Sequence, residues 1–254
     1  MGEHDDKTEA YRERIWQELR KVARPDSRFH WDFSSFITDF EGSDVCAERL
    51  FDLVAQFAGD GRRIFVTPDN CLEDFRARLI MESRPFVMTT YGIVRGFYEL
   101  DPAKVPPGAA RHAATLDGFD RYATPVTLRE LQAGDPFGLL VTGGSAVSRN
   151  GVRFGKGHGY FDFEYAVLSE LGLVDNATTI ADVVHDCQYV DDHLDAEAHD
   201  VPVDWIVTPS SVRAVDGPPR TPGHVFWELV PGTEFEHLHV TAELRDITKP
   251  TPHA

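Results

Sequence analysis

The run Phe137-Gly138-Leu139-Leu140-Val141-Thr142 is almost wholly apolar, the pattern of a strand covered on both faces rather than one with a wet side. Arg63-Ile64-Phe65-Val66-Thr67, Pro85-Phe86-Val87-Met88-Thr89-Thr90, Thr178–His185 and Val203–Thr208 read as further short strands, and Val152–Phe154 as a minor one. Between them lie stretches of helical period. Residues 11–23 carry Ile15, Leu19 and Val22 at i, i+4 and i+7, with Trp16 beside them, and Pro25 ends the pattern. Residues 44–59 carry the stripe Val45, Leu50, Leu53, Val54 and Phe57. Cys71–Met81, Leu128–Ala133 and Tyr160–Leu171, stopped at Gly172, complete the helices.

Strands alternating with helices predict an α/β fold: a mostly parallel sheet with helices on both faces. Residues 1–10 are expected to be disordered and residues 11–212 to form the domain. Residues 100–135 are rich in Pro, Gly and Ala and are expected to be irregular apart from the helix at 128–133. Residues 213–254 hold six of the sixteen prolines, so a Pro-rich C-terminal extension packed on the domain is expected, with a loose tail from about Pro250.

The formal net charge of −17 over 254 residues repels phosphate backbones and anionic lipid. Nucleic acid and membrane surfaces are therefore poor partners. No apolar run approaches the roughly 20 residues that span a bilayer, and Met1-Gly2-Glu3-His4-Asp5-Asp6 is unlike a signal peptide. Three widely spaced cysteines, Cys46, Cys71 and Cys187, fit free thiols in a reducing compartment. A cytoplasmic protein is expected.

The most specific chemistry lies in Arg153-Phe154-Gly155-Lys156-Gly157-His158-Gly159-Tyr160-Phe161-Asp162. Alternating glycines let successive backbone N–H groups turn inward around an anion. A helix starting near Tyr160 adds its positive end. Arg153 and Lys156 add charge, and Asp162 in the first turn is placed for a divalent cation. A tight structural turn is the competing reading. The pattern is neither a Walker loop nor a dinucleotide fingerprint.

Val183-Val184-His185-Asp186-Cys187-Gln188 puts His185 at a strand's carboxyl end, where ligands sit in open α/β sheets. His185 reads as a general acid or base, or as a histidine bonded to the backbone. Cys187 reads as a buried thiol more readily than as a nucleophile. Asp182 to Asp204 holds eight carboxylates, three histidines and no Lys or Arg. It is a solvated acidic loop or, through Asp191-Asp192-His193 and Glu197-Ala198-His199-Asp200, a source of metal ligands. Asp200, close before a strand, is placed to reach the glycine loop's site. Gly143-Gly144-Ser145 would let a ligand approach the backbone, with no nucleophile elbow at Ser145. Tyr91–Phe97 would line a pocket, with Phe97 and Tyr98 equally suited to the core.

The order Arg153-x-Gly155-x-Gly157-x-Gly159-Tyr160-x-Asp162, then a helix, then Glu197-x-His199-Asp200 and Val203-Asp204-x-Ile206-x-Thr208, resembles the 5-formyltetrahydrofolate cyclo-ligase (methenyltetrahydrofolate synthetase) family over about residues 11–212. Gly155–Gly159 with Glu164-Tyr165, Val184–Gln188 and Thr208-Pro209 look closer to its divergent branch, the methenyltetrahydrofolate synthetase domain-containing proteins. The resemblance implies a three-layer fold of the ribose-5-phosphate isomerase and coenzyme A transferase type. It implies ATP and magnesium, with phosphorylation of the formyl oxygen of 5-formyltetrahydrofolate and ring closure to 5,10-methenyltetrahydrofolate.

Carried over by position, Arg153 and the amides of Gly155, Gly157 and Gly159 would hold phosphate, Tyr160 would line the site and Asp162 would bind magnesium. The residues read directly add Lys156, His158 and His185 to the expected catalytic set, and Arg12 and Asp200 to the expected nucleotide site. Two positions depart from the family. A lysine four residues before Arg12 is expected, but Thr8 stands there, with Lys7 one residue off. The basic residue usual after the aspartate is Phe163. Lys156 would have to make good the lost charge. The alternatives are an ATP-independent hydrolase or lyase of a small heterocycle or acid, and a non-catalytic ligand-binding protein. The branch's RNA-binding module has no counterpart in these residues.

Overall fold

A computed structural model describes residues 3–59, 61–154, 158–216, 220 and 223–249, with side chains from residue 11 onward. In chain order the elements are α1 (Glu3–Leu19), β1 (Ala23–Arg24), β2 (Asp39–Phe40), α2 (Ser43–Phe57), β3 (Arg63–Val66), α3 (Glu73–Met81), β4 (Phe86–Thr89), β5 (Phe97–Leu100), α4 (Ala110–Ala114), α5 (Leu116–Phe119), β6 (Thr124–Val126), α6 (Leu128–Gln132), β7 (Phe137–Gly143), β8 (Ala146–Ser148), β9 (Arg153–Phe154), α7 (Tyr160–Glu170), β10 (Thr179–Val183), β11 (Tyr189–Val190), β12 (Trp205–Val207), β13 (Val212–Ala214) and α8 (His239–Thr248).

Eight strands form one sheet in the order β13-β12-β10-β7-β3-β4-β5-β6. The five central strands, β12 to β4, run parallel. The outer strands are antiparallel. Every residue of β7 is buried, as its apolar run demands. One face is covered by α2–α5, where Leu50, Leu53, Phe75 and Leu79 meet Ile64, Val66, Leu139 and Val141. The other face is covered by α6–α8, where Leu131, Val167, Leu168 and Leu244 meet Phe65, Leu140 and Ile180. The result is the expected three-layer α/β architecture. A small sheet in the order β11-β8-β9 stands beside it. Ile15 of α1 seats against its Ala146 and Val190. Among the described residues no helix is long and apolar enough to cross a membrane.

Several elements differ from the sequence reading. The first helix begins at Glu3 and ends at Leu19, so Val22 lies beyond it. Val45 is 37% exposed, and Cys46 takes its place on the buried stripe of α2. The segment read as irregular contains β6, α4 and α5, and β5, not expected at all, ends at its first residue. Strand β6 hid because it is an edge strand, a sheet position that accommodates a proline such as Pro125. Pro250 and the residues after it lie outside the described residues.

Helix α7 is buried almost all round: Phe161, Phe163, Glu164, Tyr165, Ala166, Val167 and Leu168 are covered together. One helix face against a sheet cannot achieve that. The second cover comes from the C-terminal segment. Phe235 stacks on Phe163 at 4.6 Å, the Val225 N–H donates to Glu170, and Val225, Val230, Val240 and Leu244 belong to the same core. Leu244 is fully buried. Leu244→Ala should therefore lower the unfolding free energy by about 2–4 kcal/mol in a urea titration. A segment merely resting on the surface would lose less than about 0.5 kcal/mol.

Candidate functional site

The parallel strands end in a polar row. Thr89 of β4, Thr67 just past β3, Thr142 of β7 and Asp182 of β10 come from four neighbouring strands, and all four are buried. They continue the face of Val87, Phe65, Leu140 and Ile180, two residues earlier in each strand. Apolar side chains fill that face under α7, and polar ones take over where the strands open at their carboxyl ends. There a cavity of about 490 Å³ is bounded by the strand ends, the N-terminus of α7, the loop after β4 and the acidic stretch before β12.

Gly159 caps α7 with φ +68°, in the left-handed region, and its carbonyl accepts from the Phe163 N–H. A Cβ there would meet nothing within 4 Å, so conformation and not space demands glycine. Behind it, Arg153 donates to Asp162 at 3.3 Å and lies over the Phe161 ring at 4.5 Å. Asp162 also accepts the Val201 N–H at 3.0 Å. The Nε–H groups of Arg153 and Arg12 are buried with no acceptor among the described residues. Both arginines line the cavity. Desolvated guanidinium N–H groups without partners cost free energy unless a hydrogen-bond acceptor meets them.

His158, Gly159, Tyr160, Asp162 and Asp200 join Arg12 and Arg153 in the cavity wall. Gly155, Lys156 and Gly157 lie outside the described residues. His185 is a correction: it does not line the cavity. The chain turns into a short 3-10 helix after β10, and His185 caps that turn by accepting the Cys187 N–H at 3.2 Å. Its ring sits edge-on to Phe40 at 5.6 Å. Cys187 packs against the Leu19, Phe33 and Phe36 cluster, and burial pushes its thiol up to about 11, unlike a nucleophile. Gly143 and Gly144 answer to packing: a Cβ would come within 2.7 Å of the Cys71 sulfur and of an Asp182 oxygen respectively. Phe97 is core, and Tyr91, Gly92 and Ile93 line the cavity.

The acidic stretch divides. Asp195, Glu197, His199 and Asp200 turn to the cavity, while Asp192 accepts from Tyr11. Among the described residues no group of three or more His, Cys, Asp or Glu side chains is arranged to hold a metal. Asp162 and Asp200 remain as carboxylates close enough to interact, and burial raises Asp200 above the usual carboxylate range.

Four carboxylates at or beneath the site were given no role from the sequence. Asp69 follows β3 and accepts from the Gly143 N–H at 2.9 Å and from the Thr67 hydroxyl. Glu164 accepts from Thr89 across the floor, and burial raises it to about 8. Burial raises Asp182 to about 7, and neither of its oxygens has a partner among the described residues. A lone carboxylate inside an apolar helix or strand was the available signal for the last two. Glu234, which accepts from Tyr160 and pairs with His158 at 2.8 Å, had none.

The raised carboxyls keep their protons in the folded state where the unfolded chain has lost them. Stability therefore falls as pH rises from the ordinary carboxylate range to about 7–8, then levels. Asp182→Asn should gain on the wild type across that window, by on the order of 2 kcal/mol, in urea titrations at pH 5 and pH 8.

The profile of the 5-formyltetrahydrofolate cyclo-ligase family matches residues 4–209. The human methenyltetrahydrofolate synthase domain-containing protein is 33% identical over 246 residues, 92% of this chain and 60% of that protein. The mouse protein of that name is 32% identical over 247 residues, 95% of this chain and 64% of that protein. The chain thus spans about three fifths of the length of these curated relatives. The NMR structure of Aquifex aeolicus 5,10-methenyltetrahydrofolate synthetase aligns with a TM-score of 0.47 at 17% identity, over 86% of this chain and 97% of that one. With its profile running from residue 4 to 209, across the whole parallel sheet and the glycine loop, this chain belongs to the 5-formyltetrahydrofolate cyclo-ligase family.

Proposed function

We propose that the cavity closes 5-formyltetrahydrofolate, or a related formyl compound, to a methenyl product at the expense of ATP. One observation carries the reading: two cavity arginines, Arg12 and Arg153, keep buried Nε–H groups without acceptors, beside the glycine-capped N-terminus of α7. An anion of phosphate type satisfies both and meets the helix dipole. The walls suit the other substrate. Phe36, Tyr91, Tyr160 and Phe161 offer aromatic surface to a planar heterocycle. Asp69 offers an acceptor, and Glu164, protonated at neutral pH, a donor.

Magnesium fits in a restricted sense. Asp162 spends Oδ1 on Arg153 and Val201 and leaves Oδ2 for a cation, with Asp200 nearby. Without a third ligand of this kind among the described residues, the ion would arrive on the nucleotide's phosphates and keep waters. Bound so, it would neutralise phosphate charge during transfer. The described cations remain few, since Phe163 serves the core and not the site. Lys156, inside the glycine loop, would supply the missing charge.

The reaction is followed by the absorbance of methenyltetrahydrofolate from 5-formyltetrahydrofolate with and without ATP-magnesium. Product formation that requires ATP is expected. Turnover that ignores ATP would favour the hydrolase or lyase reading, and no heat of ATP-magnesium binding in calorimetry would sink the ligase one. Lys156→Ala should weaken ATP by about 1.5–3 kcal/mol, roughly ten- to hundredfold in Kd. An unchanged Kd would remove Lys156 from the site.

A further inference from the structure

The N-terminus of α7 is not completed by the domain that the family profile covers. That profile ends at residue 209, whereas a side chain from residue 234 holds two of the residues on the cavity wall. Glu234 lies in the C-terminal segment between the buried Val230 and α8. One of its oxygens pairs with His158 Nδ1 at 2.8 Å, and the other accepts from the Tyr160 hydroxyl. The His158 ring stacks on Tyr160 at 5.6 Å, and Tyr160 meets the edge of Phe235 at 5.5 Å. Phe235 is itself stacked on Phe163, and its carbonyl accepts from Thr241 of α8 at 2.6 Å. The carboxylate is therefore held on a rigid base, and both side chains it touches line the cavity.

An ionised carboxylate has no proton to donate. Both bonds therefore need their protons on the partners: one on the Tyr160 oxygen and one on His158 Nδ1. A neutral imidazole carries a single ring proton, so fixing it at Nδ1 makes Nε2 a bare acceptor on a residue of the cavity wall. Left to itself in water, imidazole favours the opposite tautomer. We propose that Glu234 is a positioning residue, which sets His158 in the Nδ1–H tautomer and presents Nε2 to the bound substrate as the proton acceptor.

The kinetic consequence rests on the ring-closure reading. When the attacking ring nitrogen bonds to the formyl carbon, the carbon–oxygen bond to phosphate breaks and phosphate leaves. The proton on that nitrogen must go to a base, and His158 Nε2 accepts it. The C-terminal segment is on this account part of the active site of the chain.

The tautomer is read without any substrate. Long-range proton–nitrogen correlation of the imidazoles at pH 8 reports which nitrogen carries the proton, with His158 assigned by the signal lost in His158→Asn. The wild type should show Nδ1–H. Glu234→Gln, whose amide oxygen still accepts from Nδ1, should keep it, and Glu234→Ala and Glu234→Met should shift to Nε2–H. The Glu234 side chain is 42% exposed, so these variants should melt with the wild type. An unchanged tautomer in both apolar variants overturns the proposal. In the ATP-dependent assay the apolar variants should lose roughly ten- to hundredfold in kcat, with KM for ATP held within about twofold and the loss largely restored in the Gln variant. A wild type that forms no methenyl product defeats the ring-closure reading alone, because the tautomer measurement stands or falls independently.

Discussion

Helix α7 is squeezed between two apolar surfaces, and most of the molecule's arrangement follows from that. Its inner side lies on the sheet through Val167 and Leu168, and its outer side is covered by Val225 and Phe235 of the C-terminal segment. A helix covered on both sides cannot tilt or fray cheaply, since each movement exposes apolar area at about 25 cal/mol per Å². Its N-terminus is held with it. Gly159, Tyr160, Asp162 and Glu164 therefore meet Arg153 and the strand ends in one geometry, and Glu164 reaches Thr89 beneath them.

The electrostatics of the cavity balance few cations against many carboxylates. Asp69, Asp162, Glu164, Asp195, Glu197 and Asp200 face the same space as Arg12 and Arg153. Such a site tolerates its own charge in two ways. Burial keeps Glu164 protonated near neutral pH and raises Asp182 to about 7, which lessens the negative charge of the floor. Pairing neutralises another carboxylate, as Arg153 does for Asp162. What is left over at the cavity is a pair of buried guanidinium N–H groups with no acceptor among the described residues, beside an acidic rim.

Much of this was legible along the chain. The apolar runs at 63–67, 85–90, 137–142, 178–185 and 203–208 gave up their strands because burial on both faces removes polar residues from them. The glycine pattern pointed to the cavity wall that Gly159 forms, where a left-handed cap disfavours a side chain. Other parts were hidden for physical reasons. Edge strands such as β6 need no uniform apolar pattern. His185 lies two residues past the end of β10, yet it caps the turn that follows and its ring meets Phe40 instead of the cavity. Lone buried carboxylates such as Asp182 leave the hydrophobic period around them intact.

The sequence by itself determined the layer architecture, the family and the glycine-capped start of α7 on the candidate site, because period and glycine spacing are local properties of a chain. Only the tertiary structure decided which charges meet. Arg12 and Arg153 stand 141 positions apart, and Glu234 approaches His158 from 76 positions away. Contacts across such separations are set by how layers stack, and no local pattern carries them. For the same reason the C-terminal segment, which reads as a Pro-rich appendage, emerges as the outer wall of α7 and a supplier of the site.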